Sequence, residues 1–321
     1  MLKIFDCSNS QDRPLHRGGG GPIVNDVMRY LHENCSRYGC TFVPKGSEAD
    51  VITTNDIFPQ HVLELGKPLI KRMDGVFWHS SLISRNIPLN YAASIADKVI
   101  FISDYSKDSY FKLYGDSLKS YCVVHHWVDP RIFHLDPIAF KRKRDKKRDF
   151  VFAASASDWE RPEKRYSDLL LFANTFPVQI LLIGKADFST PDNISKVGYL
   201  TNPEDISTIL NEADGFLNLT YRDPATKTIP QAISCGLPVL YADSGGVSEM
   251  VWQYGVGIQE ENDIAFSTSI PHLSKIRLKL GFEEFTNRYQ AILDQLKSFD
   301  PNIKFKEMLN GYFEAIKSVL R

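Results

Sequence analysis

Between positions 215 and 251 the chain carries side chains whose spacing suits the grip of a phosphorylated ligand. The run Asp223-Pro224-Ala225-Thr226-Lys227-Thr228 follows an apolar stretch, 215–219, and Pro224 with its threonines is a helix start. Gly236 and Pro238 stop that helix, so it is short. Backbone N–H groups at a helix start, reinforced by the helix dipole, attract phosphate. Asp223 just before the helix and Gln231 on it stand eight positions apart, a spacing that reaches the two ends of one ligand. Next comes Asp243-Ser244-Gly245-Gly246-Val247-Ser248-Glu249, whose paired glycines let the backbone approach a ligand at the C-terminal edge of a strand.

Upstream, the stretch 154–165 contains Arg161, Lys164 and Arg165. These supply the charge-assisted contacts that a pyrophosphate needs, and the alternative for each is a solvated loop charge. Nearer the N-terminus, Arg17-Gly18-Gly19-Gly20-Gly21-Pro22 precedes an amphipathic stretch, 23–31. Four consecutive glycines are entropically costly unless the backbone needs their freedom, either to meet a ligand or to form a flexible lid. A dinucleotide fingerprint does not fit, because its third glycine is absent. Lys71-Arg72-Met73-Asp74-Gly75-Val76-Phe77-Trp78-His79 ends another apolar run, and polar groups at strand C-termini border ligand crevices. Asp74 and His79 are the candidates there. His125 and His126 are adjacent on a strand and point to opposite faces, and no third ligand has useful spacing, so no metal site is expected.

The elements that must position these groups alternate in type. Short β-branched or apolar runs at 2–5, 41–43, 51–53, 69–71, 98–102, 121–124, 150–154, 179–183, 215–219 and 238–241 are separated by longer amphipathic stretches. That rhythm predicts parallel sheets with helices on both faces. The basic run from Lys141 to Arg148 interrupts it and reads as an interdomain linker or helix end, with an acidic membrane surface or nucleic acid as the other partners such a run could meet. The expected domains are 1–148 and 149–282. A tail, 283–321, carries two helical stripes, Phe285, Tyr289, Ile292, Leu293, Leu296 and then Phe305, Met308, Tyr312, Ile316, Leu320.

Composition excludes several classes. With Lys+Arg 38 against Asp+Glu 39, the chain of 321 residues lacks the basic excess of a nucleic-acid clamp. Its 43% hydrophobic and 24% charged residues are ordinary for globular domains. No apolar run approaches the roughly 18 residues of a membrane span, which leaves only peripheral contact with a membrane. Five cysteines, an odd number without metal or redox spacing, favour reduced thiols, and the early polar residues do not read as a signal peptide. A cytoplasmic protein is expected; its oligomeric state is not legible.

The motifs together resemble the donor-site signature of the retaining family-4 glycosyltransferases, which is Glu-x7-Glu, then Ala-x-x-x-Gly-x-Pro-Val, then Gly-Gly-x-x-Glu. Ala232, Gly236, Pro238, Val239, Gly245, Gly246 and Glu249 match, whereas Asp223 and Gln231 stand for the two acids. Arg72-Met73-Asp74-Gly75 resembles the Arg-x-Asp-Gly of one branch, and Ala96-Asp97-Lys98-Val99-Ile100 with Ser103 and Lys107 resembles the family's ADxVIxxSxxxK segment. Asp129 and Phe133 match a later motif, in which His126 and Trp127 replace an Asn-Gly pair. These blocks run in the family's order over about three quarters of the chain.

The resemblance implies the GT-B fold, two Rossmann-like domains facing each other across a cleft. It implies transfer of a sugar from a nucleotide sugar, such as a UDP- or GDP-sugar, to a glycan or small hydroxyl acceptor. Configuration would be retained, with no cofactor and no obligatory metal. It assigns Asp223 to the donor sugar and Gln231 to the ribose. Gly19, Gly20, Arg161, Lys164 or Arg165 would meet the diphosphate, with the N–H groups of Ala225, Thr226, Lys227 and Thr228. Gly198 and Tyr199 would meet the base, Gly245, Gly246 and Glu249 the donor, and Asp74 and His79 the acceptor side. Two rivals keep the fold: a nucleotide-sugar epimerase, and a non-catalytic nucleotide-sugar binder favoured by Gln231.

Overall fold

A computed structural model describes residues 1–9, 21–144, 149–260 and 269–320, without the side chains of 9, 21–26 and 81. The described residues divide into two compact units, 1–126 with 304–320 and 127–260 with 269–303.

The first unit is built on six parallel strands. In chain order it runs β1 (Leu2–Asp6), α1 (Gly21–Asn34), β2 (Cys40–Phe42), β3 (Val51–Thr54), α2 (Gln60–Leu63), β4 (Leu69–Met73), α3 (Asn86–Ile95), β5 (Lys98–Phe101), α4 (Asp104–Tyr114) and β6 (Tyr121–Val123). The spatial order β2-β1-β3-β4-β5-β6 reverses direction between β1 and β3. β3 and β4 are buried at every residue, as a sheet covered on both faces requires.

The second unit holds α5 (Pro137–Arg144), β7 (Phe150–Asp158), α6 (Tyr166–Thr175), β8 (Val178–Lys185), β9 (Ile194–Gly198), α7 (Pro203–Glu212), β10 (Gly215–Asn218), α8 (Thr228–Ser234), β11 (Val239–Ala242), α9 (Val247–Val251), β12 (Gly255–Ile258) and α10 (Lys275–Lys297). Its sheet, also parallel, has the order β12-β11-β10-β7-β8-β9, the doubly wound Rossmann arrangement with its switch point between β7 and β10. A last helix, α11 (Pro301–Ser318), goes with the first unit from residue 304 onward.

One sequence device recurs in both sheets. Ala49-Asp50, Ala96-Asp97 and Ala213-Asp214 each lead into a strand, with the alanine buried. Each carboxylate accepts the N–H of a neighbouring strand's early residue: Asp50 from Lys3 at 2.8 Å, Asp97 from Leu69 at 2.8 Å and Asp214 from Val151 at 2.7 Å. A charged acceptor outside the ladder thus fixes the register of three parallel pairs. Burial pushes the Asp97 carboxyl up, but the Leu69 N–H and Lys119 outweigh it and hold the pKa below its ordinary value. The Ser103 of the same segment closes a capping box with Ser106 at the start of α4, so this stretch also fixes where the helix begins.

All ten expected strands form, with ends displaced by a few residues. β9 and β12 have no counterpart among them. β12 reads Gly255-Val256-Gly257-Ile258, and its glycines hide a strand that Gly255 needs: an added Cβ would lie 2.4 Å from the carbonyl of Val239. The units part between 126 and 127, earlier than the basic run at which the sequence places the boundary. The reason is local. Arg142 donates to the carbonyls of Asn211 and Glu212, and Lys143 to that of Asn211, so α5 caps the C-terminus of α7 inside the second unit. Residues 145–148 lie outside the described residues.

The two tail helices part company. Phe285, Tyr289, Ile292, Leu293 and Leu296 of α10 are buried in the second unit, whose Phe150 and Phe152 meet Phe285 edge-on or tilted. Met308, Tyr312 and Ile316 of α11 are buried in the first. Leu320, the last of that stripe, is 45% exposed.

Candidate functional site

Crevices at a switch point lie beyond the strand C-termini. In the second unit that places the loops after β7 and β10 side by side, and they bring together two residues singled out by the sequence. Lys164 Nζ lies 3.1 Å from Asp223 Oδ2, with the side chains 14% and 17% exposed. The loops are also joined by their backbones, since Tyr221 N–H donates to the Glu163 carbonyl at 2.8 Å. On the far side, Asp223 forms an isolated parallel bridge with Gly245, and its carbonyl accepts Gly246 N–H at 2.9 Å. Gly245 has φ +75, and a Cβ there would lie 2.3 Å from the Asp223 carbonyl oxygen. The first glycine of the pair is therefore needed for close approach of one loop to another.

The other two cations of the β7 loop are placed differently. Arg161 is ion-paired with Glu163. Arg165, expected to face a diphosphate, is fully buried and turned inward: its Nη2 lies 2.6 Å from Glu260 Oε1, its Nε 3.7 Å from Asp168 Oδ2, and its guanidinium stands over the Tyr221 ring at 4.6 Å. Of the three, Lys164 alone combines partial exposure with the Asp223 partner. Arg222, Tyr221, Glu260 and Asp168 were not among the sequence candidates; no residue type or spacing signals an arginine that folds back into a domain.

Ala225 and Gln231 are buried, at 5% and 4% exposure, whereas Thr226, Lys227 and Thr228 are partly exposed. The hydroxyls of Thr226 and Thr228 are 2.9 Å apart. The helix they lead into, α8, has seven residues, so its dipole is small and the weight of any anion binding falls on Lys164 and the loop. Glu249 lies in the first turn of α9, partly exposed. Gly198 has φ 91 at the end of β9, with Tyr199 beside it 55% exposed. Gly184, next to last in β8, has φ +123, and a Cβ there would lie 1.7 Å from the Ala156 carbonyl oxygen, so that position accepts glycine alone.

In the first unit, Asp74 follows β4, 42% exposed, with its Oδ1 2.9 Å from Arg72 Nη1. Arg72 is buried and donates from Nε to the Tyr312 hydroxyl at 2.9 Å, which anchors this strand end to α11. Its neighbour Lys71 has no exposed surface and donates to the carbonyls of Asn55 at 2.7 Å and Arg72 at 2.6 Å. Burial lowers its pKa to about 8, although Asp74 and Asp56 act to raise it. His79 is partly exposed, its ring edge-on to Trp78. Gly19 and Gly20 lie outside the described residues. Lys71 and Tyr312 are further participants that sequence reasoning missed; the second is 240 positions from Arg72, beyond any local pattern.

No protein-family model and no curated protein sequence matches the chain. Solved structures do. The chain is similar to Alr3699/HepE of Anabaena, crystallised in complex with UDP and glucose, at 17% identity and a TM-score of 0.62, over 97% of this chain and 99% of that one. A glycosyltransferase from Rickettsia africae gives 13% identity and a TM-score of 0.66 over 100% and 99% of the two chains. WaaG, a glycosyltransferase involved in lipopolysaccharide biosynthesis, gives 13% and 0.64 over 98% and 99%. Among the described residues no helix is long and apolar enough to cross a membrane. With two six-stranded parallel sheets of Rossmann type and likeness to these structures along nearly its whole length, the chain has the GT-B fold.

Proposed function

We propose that the protein transfers a sugar from a nucleotide-sugar donor to a hydroxyl acceptor with retention of anomeric configuration. The observation that carries the reading is the Lys164–Asp223 pair at the switch point of the second sheet, closed on one side by Gly245. A cation and a carboxylate 3.1 Å apart suit a ligand that is anionic at its phosphates and rich in hydroxyls at its sugar. Lys164 stabilises the charge that develops on the leaving nucleoside diphosphate, aided by loop N–H groups at 225–228 and by Arg161 once released from Glu163. Asp223 orients the donor sugar, and Gln231 hydrogen-bonds the ribose hydroxyls. Gly198 and Tyr199 border the base, and Gly246 and Glu249 the donor. On the first unit Asp74 and His79 contact the acceptor, a glycan or small molecule. The departing phosphate takes the acceptor proton, so no protein nucleophile is required, and the cations present make a metal ion dispensable. Five cysteines without metal or redox spacing fit the cytoplasm as the site of the reaction.

The UDP held by the Anabaena neighbour makes UDP-sugars the first donors to test. The experiment is calorimetry against UDP- and GDP-sugars, followed by product analysis by NMR with and without hydroxyl acceptors. Acceptor-dependent release of nucleoside diphosphate with a retained anomeric centre supports the proposal; absence of nucleotide binding ends it. Gln231 in place of an acid favours a second reading, a non-catalytic nucleotide-sugar binder, which would bind without turnover.

A further inference from the structure

Three non-glycine residues among those described have positive φ, and two are arginines on one ring. Arg165 at φ 51 and Arg222 at φ 53 place their guanidiniums over Tyr221, at 4.6 and 4.9 Å. A left-handed conformation costs a residue with a Cβ about 1–2 kcal/mol. The Arg165 guanidinium is in addition removed from water, an expense repaid only by close partners. Those partners tie four segments together. Glu260, which meets Nη2 at 2.6 Å, follows β12. Asp168, 3.7 Å from Nε, also accepts Leu273 N–H at 2.9 Å and lies 2.8 Å from His272 Nδ1. Tyr221 comes two residues before Asp223, and Lys164 immediately precedes Arg165. Strain and buried charge thus meet at a residue of the β7 loop that packs on the β10 loop, and such local violations mark sites where geometry serves function.

We propose that Arg165 is a positioning residue: without touching a ligand, it sets Lys164 and Asp223 at their working separation. Its left-handed turn aims Lys164 outward, and its stack on Tyr221 fixes the start of the Asp223 loop. The Glu260 and Asp168 carboxylates hold the guanidinium so that neither loop shifts alone. The inference rests on the reading of Lys164 and Asp223 as donor-site groups.

The test compares Arg165→Gly with Arg165→Lys, each alone and combined with Asp223→Ala, by crystallography and by steady-state kinetics with a UDP-sugar. Glycine keeps the turn and removes the charge. Lysine keeps the charge without the planar stack, and carries the comparison if the glycine variant does not fold. In both, the Lys164–Asp223 pair is expected to open beyond hydrogen-bond reach, with kcat falling about tenfold or more and KM for the donor moving less than about threefold. In the Asp223→Ala background the kcat loss should shrink, because one of the two groups that Arg165 positions is gone. A pair that stays closed in the folded variant, or losses that multiply with Asp223→Ala, overturns the inference. Should the unsubstituted chain neither bind nor turn over nucleotide sugars, the functional reading fails by itself, and the crystallographic comparison still decides whether Arg165 sets the pair.

Discussion

Lys164 Nζ and Asp223 Oδ2 meet at 3.1 Å although 59 positions separate them in the chain. The contact exists because β7 and β10 are adjacent at the reversal of the strand order, so each strand's following loop is delivered to the same edge. Each side chain is mostly shielded from solvent, where an ion pair is screened less than at an open surface. Lys164→Ala is expected to lower kcat about a hundredfold, the range lost when one charged donor is removed from a developing oxyanion, and to weaken nucleoside diphosphate binding about tenfold. Asp223→Ala is expected to lower kcat as strongly while sparing nucleoside diphosphate affinity, since the proposed reaction sets Asp223 against the sugar and not the phosphates. Steady-state kinetics and calorimetry check both; unchanged transfer in Asp223→Ala would move the donor sugar elsewhere.

Gly245→Ala tests the loop contact without touching charge. The new Cβ would lie 2.3 Å from the Asp223 carbonyl oxygen and 2.8 Å from its nitrogen, and φ +75 is strained for alanine in any case. Backbone cannot yield as a flexible side chain does, so the Asp223 loop must move. Destabilisation of about 1–3 kcal/mol is expected, by urea unfolding, together with a fall in kcat that exceeds any rise in donor KM.

How legible this was depends on the distance over which the physics acts. The alternation of β-branched runs with amphipathic stretches revealed ten of twelve strands, because a covered parallel strand needs a short apolar run. Gly255-Val256-Gly257-Ile258 escaped because its glycines, the first of them demanded by the Val239 carbonyl, dilute that run. Asp223, Lys164 and the Gly245 turn were legible as helix-start, cation and glycine signals local to their segments. The inward fold of Arg165 was not, since its cause is Glu260, 95 positions on in sequence. The Ala-Asp device was legible only after the structure gave it meaning: three short pairs look like chance until their carboxylates are seen on neighbouring strands.

Metal removal addresses the charge balance of the proposed reaction. With Lys164 as the fixed cation and Arg161 in reserve, product formation is expected to change by less than about twofold in excess EDTA. The measurement is nucleoside diphosphate release before and after chelation. A large loss restored by magnesium or manganese would show that protein cations do not suffice.

Lys71 gives the protein a stability that depends on alkaline pH. Its pKa falls from 10.5 in the ordinary state to about 8 in the folded one, because burial penalises the charged amine. Between those values the unfolded chain holds a proton that the folded chain has released, so stability rises with pH across that window. Below about 8 the penalty is complete; above 10.5 it is gone. The full span is worth about 3 kcal/mol as an order of magnitude. Lys71→Met removes the penalty but leaves the Asn55 and Arg72 carbonyls without their donor, a loss of about 1–3 kcal/mol that does not vary with pH. The two effects therefore separate: the carbonyls shift the baseline, and the amine sets the slope. Urea unfolding of both proteins from pH 7 to pH 10 is expected to show the unsubstituted chain gaining stability relative to Lys71→Met. Lys143, lowered to about 8 by burial in the other unit, is expected to act in the same direction, so Lys71→Met with Lys143→Met should give the flattest profile. Equal pH dependence in all three would mean that the Lys71 amine keeps its proton inside the sheet.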